Sequence, residues 1–209
     1  MVLNLTGLVS WQPNTWPKPP PQWEPQLADL LERIFNDTML KELENVIADV
    51  LAQNKSLAYR GHVIAIPLFC AVDALSCYAS EKTVTRRTWW LWGPRGLRED
   101  VGKRYEKFIQ QHFPPVYRPF AKRIYKLYRN YSVHHWHFFQ VAIQPGNESI
   151  REENGIISFG LLHFFAALKE AARDFFTRLR SEPPLQRAAL SRYSELYELA
   201  HPKARRRTR

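Results

Sequence analysis

Apolar residues recur at helical spacing through most of the chain after residue 25, and this pattern restricts the fold more than any other feature. The segment from Leu161 to Arg180 shows the pattern most strongly. Residues three and four positions apart share one face of a helix, so each segment can bury a stripe against its neighbours. Two further stripes lie near the start: Leu27, Leu30, Leu31, Ile34 and Phe35, then Leu40, Leu43, Val46, Ile47, Val50 and Leu51. The sequence therefore predicts a mainly α-helical bundle.

Two regions depart from the helical pattern. Residues 1–25 contain six prolines and three tryptophans, a composition that disfavours helix and predicts an extended arm. The arm is expected to lie on the domain surface; the alternatives are that it binds a protein partner or is swapped between the subunits of a dimer. Around residues 136–160, Trp136 to Ile143 and Gly155 to Phe159 have strand-like composition, which predicts a small β-hairpin across the polar loop 144–154. The expected organisation is an arm (1–25), one helical domain (26–200) and a basic tail (201–209).

Proline and charge patterns predict the bounds of the other helices. Asn36-Asp37 either caps a second helix or bends a single long one. Further along the chain, the two cysteines fall on one nearly all-apolar helix. The loop 81–97 is rich in aromatic residues. The predicted segments are a loop near Asn54–Gly61, a helix from Pro67 to Ser80, a helix from Arg98 to His112, a helix from about Val116 to Tyr131, and a last helix from Leu185 to Ala200 after Pro183-Pro184.

Composition and charge narrow the classes of function. A hydrophobic content of 45% and seven tryptophans indicate a folded protein. No apolar run reaches the roughly 18–20 residues that a membrane span needs. The formal net charge is +10, which makes RNA a plausible partner. Part of that charge lies in the tail, and a second basic region runs from Lys82 to Lys107. The residues expected to contact nucleic acid are Arg86, Arg87, Trp89, Trp90, Arg95, Arg205, Arg206 and Arg207.

The cysteines and the N-terminus point to a cytoplasmic protein. Cys70 and Cys77 are seven residues apart on the predicted helix, about 10.5 Å by rise alone, which is too far for a disulfide. We expect both thiols to be reduced and buried. The start of the chain, Met1 to Leu5, lacks the basic residues that open a secretory signal.

One short run carries the chemistry that the sequence suggests. Arg129 is followed directly by the polar Asn130, and His134 comes five residues after the arginine. An imidazole that titrates near neutral pH can take the proton of an RNA 2′-hydroxyl. A guanidinium can hold the phosphate oxygens as charge builds on them. Five residues of ideal helix turn through about 140°, so the two side chains converge only where the helix bends or ends, or where a second copy of the run faces the first.

This run resembles the R-x4–6-H signature of HEPN domains, which are small helical proteins that include many metal-independent ribonucleases. The resemblance implies cleavage of single-stranded RNA, possible use in stress response or phage defence, and assembly as a homodimer. His134 would then be the base, Arg129 the phosphate contact and Asn130 the group that orients them. No metal and no other cofactor is expected.

Several alternatives remain open at this point. Arg129 and His134 can serve only the fold, as a cation at a helix C-terminus and a histidine bonded to the backbone. The chain can also be a catalytically silent module that binds RNA or a protein. His135 and His137 would need a third ligand, such as His112 or His163, to hold a metal. Asp73, a lone charge in an apolar helix, is an auxiliary candidate: it either pairs structurally with an arginine or orients the active site through Arg129 or His134.

Overall fold

The computed structural model describes residues 17–52, 61–80, 84–86, 97–99, 101–126, 141–144 and 146–201. Within these ranges the chain is mainly helical with a small hairpin, as the sequence predicts. No helix in the described ranges is both long and apolar enough to cross a membrane.

The first two helices are joined by a wide helical turn. Helix α1 spans Pro25–Ile34 and begins with proline at a position where a missing N–H costs nothing. Residues Phe35–Leu40 form a π-helical turn, and α2 follows at Lys41–Ala52. Asn36 and Asp37 lie inside this turn, so they do not cap a new helix. The chain stays helical and only its winding changes.

Helix α3 is the central element and is longer than the sequence predicts. It spans Gly61–Ala79 and contains Pro67 within its second turn, so the prediction that it starts at Pro67 is wrong. Pro67 is exposed, while Leu68 and Phe69 beside it are fully buried. A proline inside a helix costs about 3 kcal/mol. Burial of the neighbouring apolar side chains offsets that cost, because each contributes on the order of 2 kcal/mol.

A pair of short strands precedes helix α4. Strand β1 (Val84–Arg86) pairs antiparallel with β2 (Leu97–Glu99), although the sequence predicts a loop over 81–97 and a helix from Arg98. Helix α4 starts only at Val101 and ends at His112. Strands of three residues are too short to show an alternating pattern in the sequence.

The helix that leads toward the Arg129 motif starts as a 3₁₀ helix at Pro115–Phe120 and continues as α5, Ala121–Arg123. Helical conformation extends to Lys126, the last described residue of this segment. Pro119 has no N–H to donate to a carbonyl four residues back, so regular α-helical bonding cannot begin before it. The described part agrees with the helix that the sequence predicts from Val116.

The second sheet has three strands, β3 (Val141–Gln144), β4 (Arg151–Glu153) and β5 (Ile156–Gly160), with β5 in the middle. The two segments predicted to pair do pair, but in parallel. The antiparallel hairpin is formed by β4 and β5. Parallel pairing is possible because β4 and its turn occupy the connection between β3 and β5.

Helices α6 (Leu161–Leu179) and α7 (Pro183–Ala200) complete the domain. The sequence predicts α6 within one residue. Pro183 stands in the first turn of α7, so it begins the helix instead of preceding it. Rings from several elements form the centre of the core and meet edge to face or tilted: Phe69, Phe108, Phe113, Tyr117, Phe159, Phe164 and Phe175.

Residues 17–24, the described part of the predicted arm, lie against the helices without regular structure. Trp23 packs on the core, and the Tyr193 hydroxyl donates a hydrogen bond of 2.8 Å to the Pro17 carbonyl. Both cysteines of α3 are free thiols. Cys70 is exposed, so the prediction that it is buried is wrong; Cys77 is half-buried.

Candidate functional site: the helix leading to Arg129

The Arg129, Asn130 and His134 motif lies outside the described residues, three positions beyond Lys126. The structure does describe how the preceding helix is held. Tyr117, Ala121 and Ile124 are buried in the core. On the same side, the ring of Tyr125 packs against Tyr105 of α4, with 5.4 Å between the ring centroids. The helix that enters the motif is therefore fixed by packing along its length.

A glycine allows this close packing. A methyl group at Gly102 of α4 would come within 2.9 Å of the Tyr125 ring, which is closer than carbon atoms in contact normally approach. Any larger side chain at position 102 would require the Tyr125 ring to shift from its position against α4.

A partly buried hydrogen bond anchors the start of the same helix. The Tyr117 hydroxyl lies 2.6 Å from Nδ1 of His163, which stands in the first turn of α6. Burial raises the pKa of Tyr117, so the hydroxyl keeps its proton and can donate a hydrogen bond to the imidazole. His163 is thereby engaged with Tyr117 and not with a cluster of ligands. Among the described residues, no three side chains of metal-binding type come together.

The outer face of the helix carries a row of cations. Arg118, Lys122 and Lys126 are exposed and follow each other at intervals of four residues. Arg118 also donates a long hydrogen bond of 3.4 Å to the Phe113 carbonyl. Neither lysine forms an ion pair with any described residue. Exposed cations at this spacing lie on one side of a helix, where they can contact successive phosphates of a nucleic acid strand. We call these three residues the basic stripe.

Arg123, on the same helix, has a different role. Its guanidinium forms an ion pair with Glu152 and donates a hydrogen bond of 2.9 Å to the carbonyl of Gly155. It therefore ties the helix to the β4–β5 hairpin and does not belong to the basic stripe.

Asp73 has a structural partner in Arg104. Oδ1 of Asp73 accepts a hydrogen bond of 2.8 Å from Nη2 of Arg104, and the two side chains are only 17% and 5% exposed. Arg104 Nε donates a second bond, 3.1 Å long, to the hydroxyl of Ser76 one turn further along α3. Of the two roles that the sequence leaves open, this geometry favours the structural one. Arg129 and His134, the other partners considered, lie outside the described residues.

Most of the residues predicted to contact nucleic acid cannot be placed. Arg86 stands at the end of β1, and the structure describes its backbone only. Outside the described residues lie Arg87, Trp89, Trp90, Arg95, Arg205, Arg206 and Arg207. Strands β1 and β2, which flank the tryptophan segment in the sequence, pair with each other.

The core also contains a histidine–aspartate pair that the sequence did not predict. The ring of His112 is completely buried between Phe108 and Phe175, and its Nδ1 donates to Oδ2 of Asp174 at 2.6 Å. Nε2 of His112 is also buried and has no hydrogen-bond partner among the described residues. Burial lowers the pKa of His112, although the bond to Asp174 opposes this change. The arrangement suits a neutral structural imidazole. No local sequence signal marks this pair, because its members are 62 residues apart.

Comparison with known proteins returns no relative. No family model, no curated protein and no solved structure matches this chain. The resemblance to HEPN domains therefore rests on the Arg129–His134 run and its helical setting.

Proposed function

We propose that this chain is a metal-independent endoribonuclease of the HEPN type, which cleaves single-stranded RNA through Arg129 and His134. The observation that carries the proposal is the basic stripe on the helix that enters the motif. Arg129 follows Lys122 by seven residues in the sequence, about two helical turns. RNA phosphates held by Lys122 and Lys126 would thus lie close to the chain that carries the catalytic groups.

The chemistry follows from the residue types. His134 takes the proton of a 2′-hydroxyl, and the 2′-oxygen attacks the adjacent phosphorus. The bond from phosphorus to the 5′-oxygen breaks, the leaving oxygen takes up a proton, and a 2′,3′-cyclic phosphate remains. Arg129 neutralises the charge that develops on the phosphate oxygens. Asn130 orients the two groups.

The test is cleavage of single-stranded RNA by purified protein in EDTA. We expect 2′,3′-cyclic phosphate ends, and loss of cleavage by at least about 100-fold in His134→Ala, which is the usual contribution of a general base. Arg129→Ala should lose activity to a similar degree. His201→Ala and Arg173→Ala serve as matched controls, since Arg173 is exposed on α6 and His201 follows α7.

Three outcomes would contradict the proposal. Cleavage that requires an added divalent metal would favour the His135 and His137 cluster. Binding of RNA with no cleavage would favour the catalytically silent module. Unfolding of both motif variants would assign Arg129 and His134 to the fold.

The basic stripe has a separate test. Lys122→Gln with Lys126→Gln removes two phosphate contacts, so RNA affinity should fall and the slope of log K against log salt should flatten by about 1.4. Lys41→Gln, at another exposed lysine, is the matched control. An unchanged slope in the double variant would remove the stripe from the RNA-binding surface.

A further inference from the structure

A polar pocket of about 390 Å³ lies beside α4, where α3 and α6 end and α7 begins. Most of its lining surface is polar, and the apolar part includes the buried residues Ala79 and Leu185. Pockets that hold small molecules typically measure about 300–1,000 Å³, so this one suits a small ligand. The polar lining residues are Ser80, Lys107, Gln111, Arg178, Glu182 and Arg187.

The pocket carries an excess of positive charge. Lys107, Arg178 and Arg187 contribute three cations and Glu182 contributes one carboxylate, so two positive charges of the lining remain. The Arg178 guanidinium donates two hydrogen bonds, of 2.6 and 3.1 Å, to the Glu182 carboxylate. Asp174 lies 3.9 Å from Arg178 and does not line the pocket. A concave site with an excess of cations attracts an anionic ligand.

Lys107 is the cation that such a ligand can engage directly. Its side chain is exposed, and it forms no ion pair with any residue that the structure describes. The first turn of α7 adds to the positive potential, because the N-terminus of a helix carries a partial positive charge. The side chain of Glu182, at the N-cap of α7, makes no capping hydrogen bond, since its carboxylate is bound by Arg178.

Two further groups of the lining suit hydroxyl groups of a ligand. Gln111 follows Lys107 by one helical turn of α4, so the two side chains lie on one side of the helix. Its amide can donate and accept. The Ser80 hydroxyl donates to the Ser76 carbonyl at 3.1 Å, and its oxygen can still accept a hydrogen bond. No aromatic residue lines the pocket, so a nucleobase would have no ring to stack on.

We propose that this pocket binds a small phosphorylated molecule that carries hydroxyl groups, such as a sugar phosphate. Lys107 contacts the phosphate and Gln111 contacts a hydroxyl group. A phosphate monoester carries about 1.5–2 negative charges near pH 7, which is close to the excess of two positive charges in the lining. The site is separate from the basic stripe, which lies on the helix that leads to Arg129.

Calorimetry of the full-length chain measures binding of ribose 5-phosphate, with inorganic phosphate and ribose as comparison ligands. We expect ribose 5-phosphate to bind at one site per chain and ribose not to bind measurably. Lys107→Gln should weaken ribose 5-phosphate about tenfold or more, because a charged hydrogen bond is lost. Gln111→Ala should weaken it about fivefold, because a neutral hydrogen bond is lost, and should leave inorganic phosphate unaffected.

Two control variants separate the pocket from other cations of the chain. Lys41→Gln removes another exposed lysine, and Lys122→Gln with Lys126→Gln removes two cations of the basic stripe. Both should bind ribose 5-phosphate as the wild type does. Lys107 and Gln111 are exposed, so their replacement removes no core packing, and circular dichroism verifies that each variant is folded.

Absence of ribose 5-phosphate binding to the wild-type chain overturns the proposal. Equal affinity for ribose 5-phosphate and inorganic phosphate, or binding that Lys107→Gln does not weaken, also overturns it. If Lys107→Gln flattens the salt dependence of RNA binding and ribose 5-phosphate does not bind, the pocket is part of an RNA surface and the proposal is wrong. The ribonuclease proposal is independent of these outcomes, because cleavage of RNA tests it separately.

Discussion

Gly155 and Gly160 lie in one hairpin and are required for different physical reasons. Asn154 and Gly155 form its two-residue turn with φ angles of 52° and 77°, the left-handed conformation that a tight hairpin turn needs. Nothing lies within 4 Å of a methyl group placed on Gly155. At Gly160 the backbone is ordinary, but a methyl group would come within 2.4 Å of the Gly146 carbonyl oxygen.

Substitution of each glycine separates conformational strain from steric overlap. Gly155→Ala should lower the free energy of unfolding by about 1–2 kcal/mol, the cost of a left-handed residue with a Cβ. Gly155→Asn should cost less, because asparagine tolerates this conformation. Gly160→Ala should cost about 3 kcal/mol or more, since two backbone segments must separate. Urea unfolding measures all three, and equal costs for the two alanine variants would contradict this account.

A single residue, His112, makes the free energy of unfolding depend on pH. Its pKa in the folded state is lowered from 6.5, first by burial of the ring. Below pH 6.5 the unfolded chain therefore binds a proton that the folded chain does not. The stabilisation is complete above about pH 7 and is lost as the pH falls from 6.5 toward the folded pKa.

The prediction for His112 is a difference between two pH profiles. The free energy of unfolding of the wild-type chain should fall more steeply between pH 7 and pH 5 than that of His112→Asn, which does not titrate. Chemical unfolding at several pH values measures the two curves. The His112→Asn protein should be less stable at pH 7, because the asparagine fills less of the ring's site. Parallel profiles would show that His112 is not the titrating group.

At the scale of elements, the Asp73–Arg104 pair fixes the position of α4 against α3. Helix α4 in turn contacts, through Tyr105 and Gly102, the helix that leads toward Arg129, which we call the motif helix. Because the pair is mostly buried, removal of one partner leaves the other buried charge without this ion pair. The replacement of both partners by apolar residues avoids that penalty.

We expect Asp73→Asn, Asp73→Leu and Arg104→Met each to lower the free energy of unfolding by about 3 kcal/mol. The double variant Asp73→Leu with Arg104→Met should recover most of this loss. A double-mutant cycle in urea measures the coupling. At a temperature where Asp73→Asn is folded, its RNA cleavage rate should equal that of the wild type. A rate loss of 100-fold with intact folding would instead make Asp73 an orienting residue of the active site.

At the scale of the whole molecule, the Arg129 motif predicts a homodimer with the motif helices near the two-fold axis. Residues near a two-fold axis contact the same residues of the partner subunit. The basic stripe, Arg118, Lys122 and Lys126, would therefore face the same three cations of the partner. Repulsion between the two stripes is relieved only if they line an open cleft, where a polyanion can lie between them. Assembly should therefore be weaker at low ionic strength and stronger in the presence of RNA.

Light scattering at micromolar concentration, across a salt series and with added RNA, measures this assembly. A mixture of His134→Ala with Arg129→Ala protein adds a functional test, provided that both variants dimerise and exchange subunits. Mixed dimers should regain part of the cleavage activity if the arginine and histidine of one site come from different subunits. A strictly monomeric chain under all these conditions would contradict the shared cleft and weaken the nuclease proposal.

The sequence alone determined most of the helical elements. A helix that buries one face has apolar residues at a spacing of three and four, and this spacing can be read from one sequence. Helix α6 is placed within a residue, and α1, α2 and α4 follow their apolar stripes. The Asn154-Gly155 pair also carried a hairpin signal, which the sequence analysis overlooked. The prediction that α3 starts at Pro67 was wrong. The cost of a proline inside a helix can be read from the sequence, whereas the burial of the neighbouring side chains, which offsets that cost, cannot.

Only the tertiary structure decided which elements meet. The structure pairs β3 with β5 in parallel, Asp73 with Arg104, and His112 with Asp174. In each case the partners have no fixed separation in the sequence. These features depend on distances between elements, which follow from the packing of the whole core, and so no local pattern encodes them.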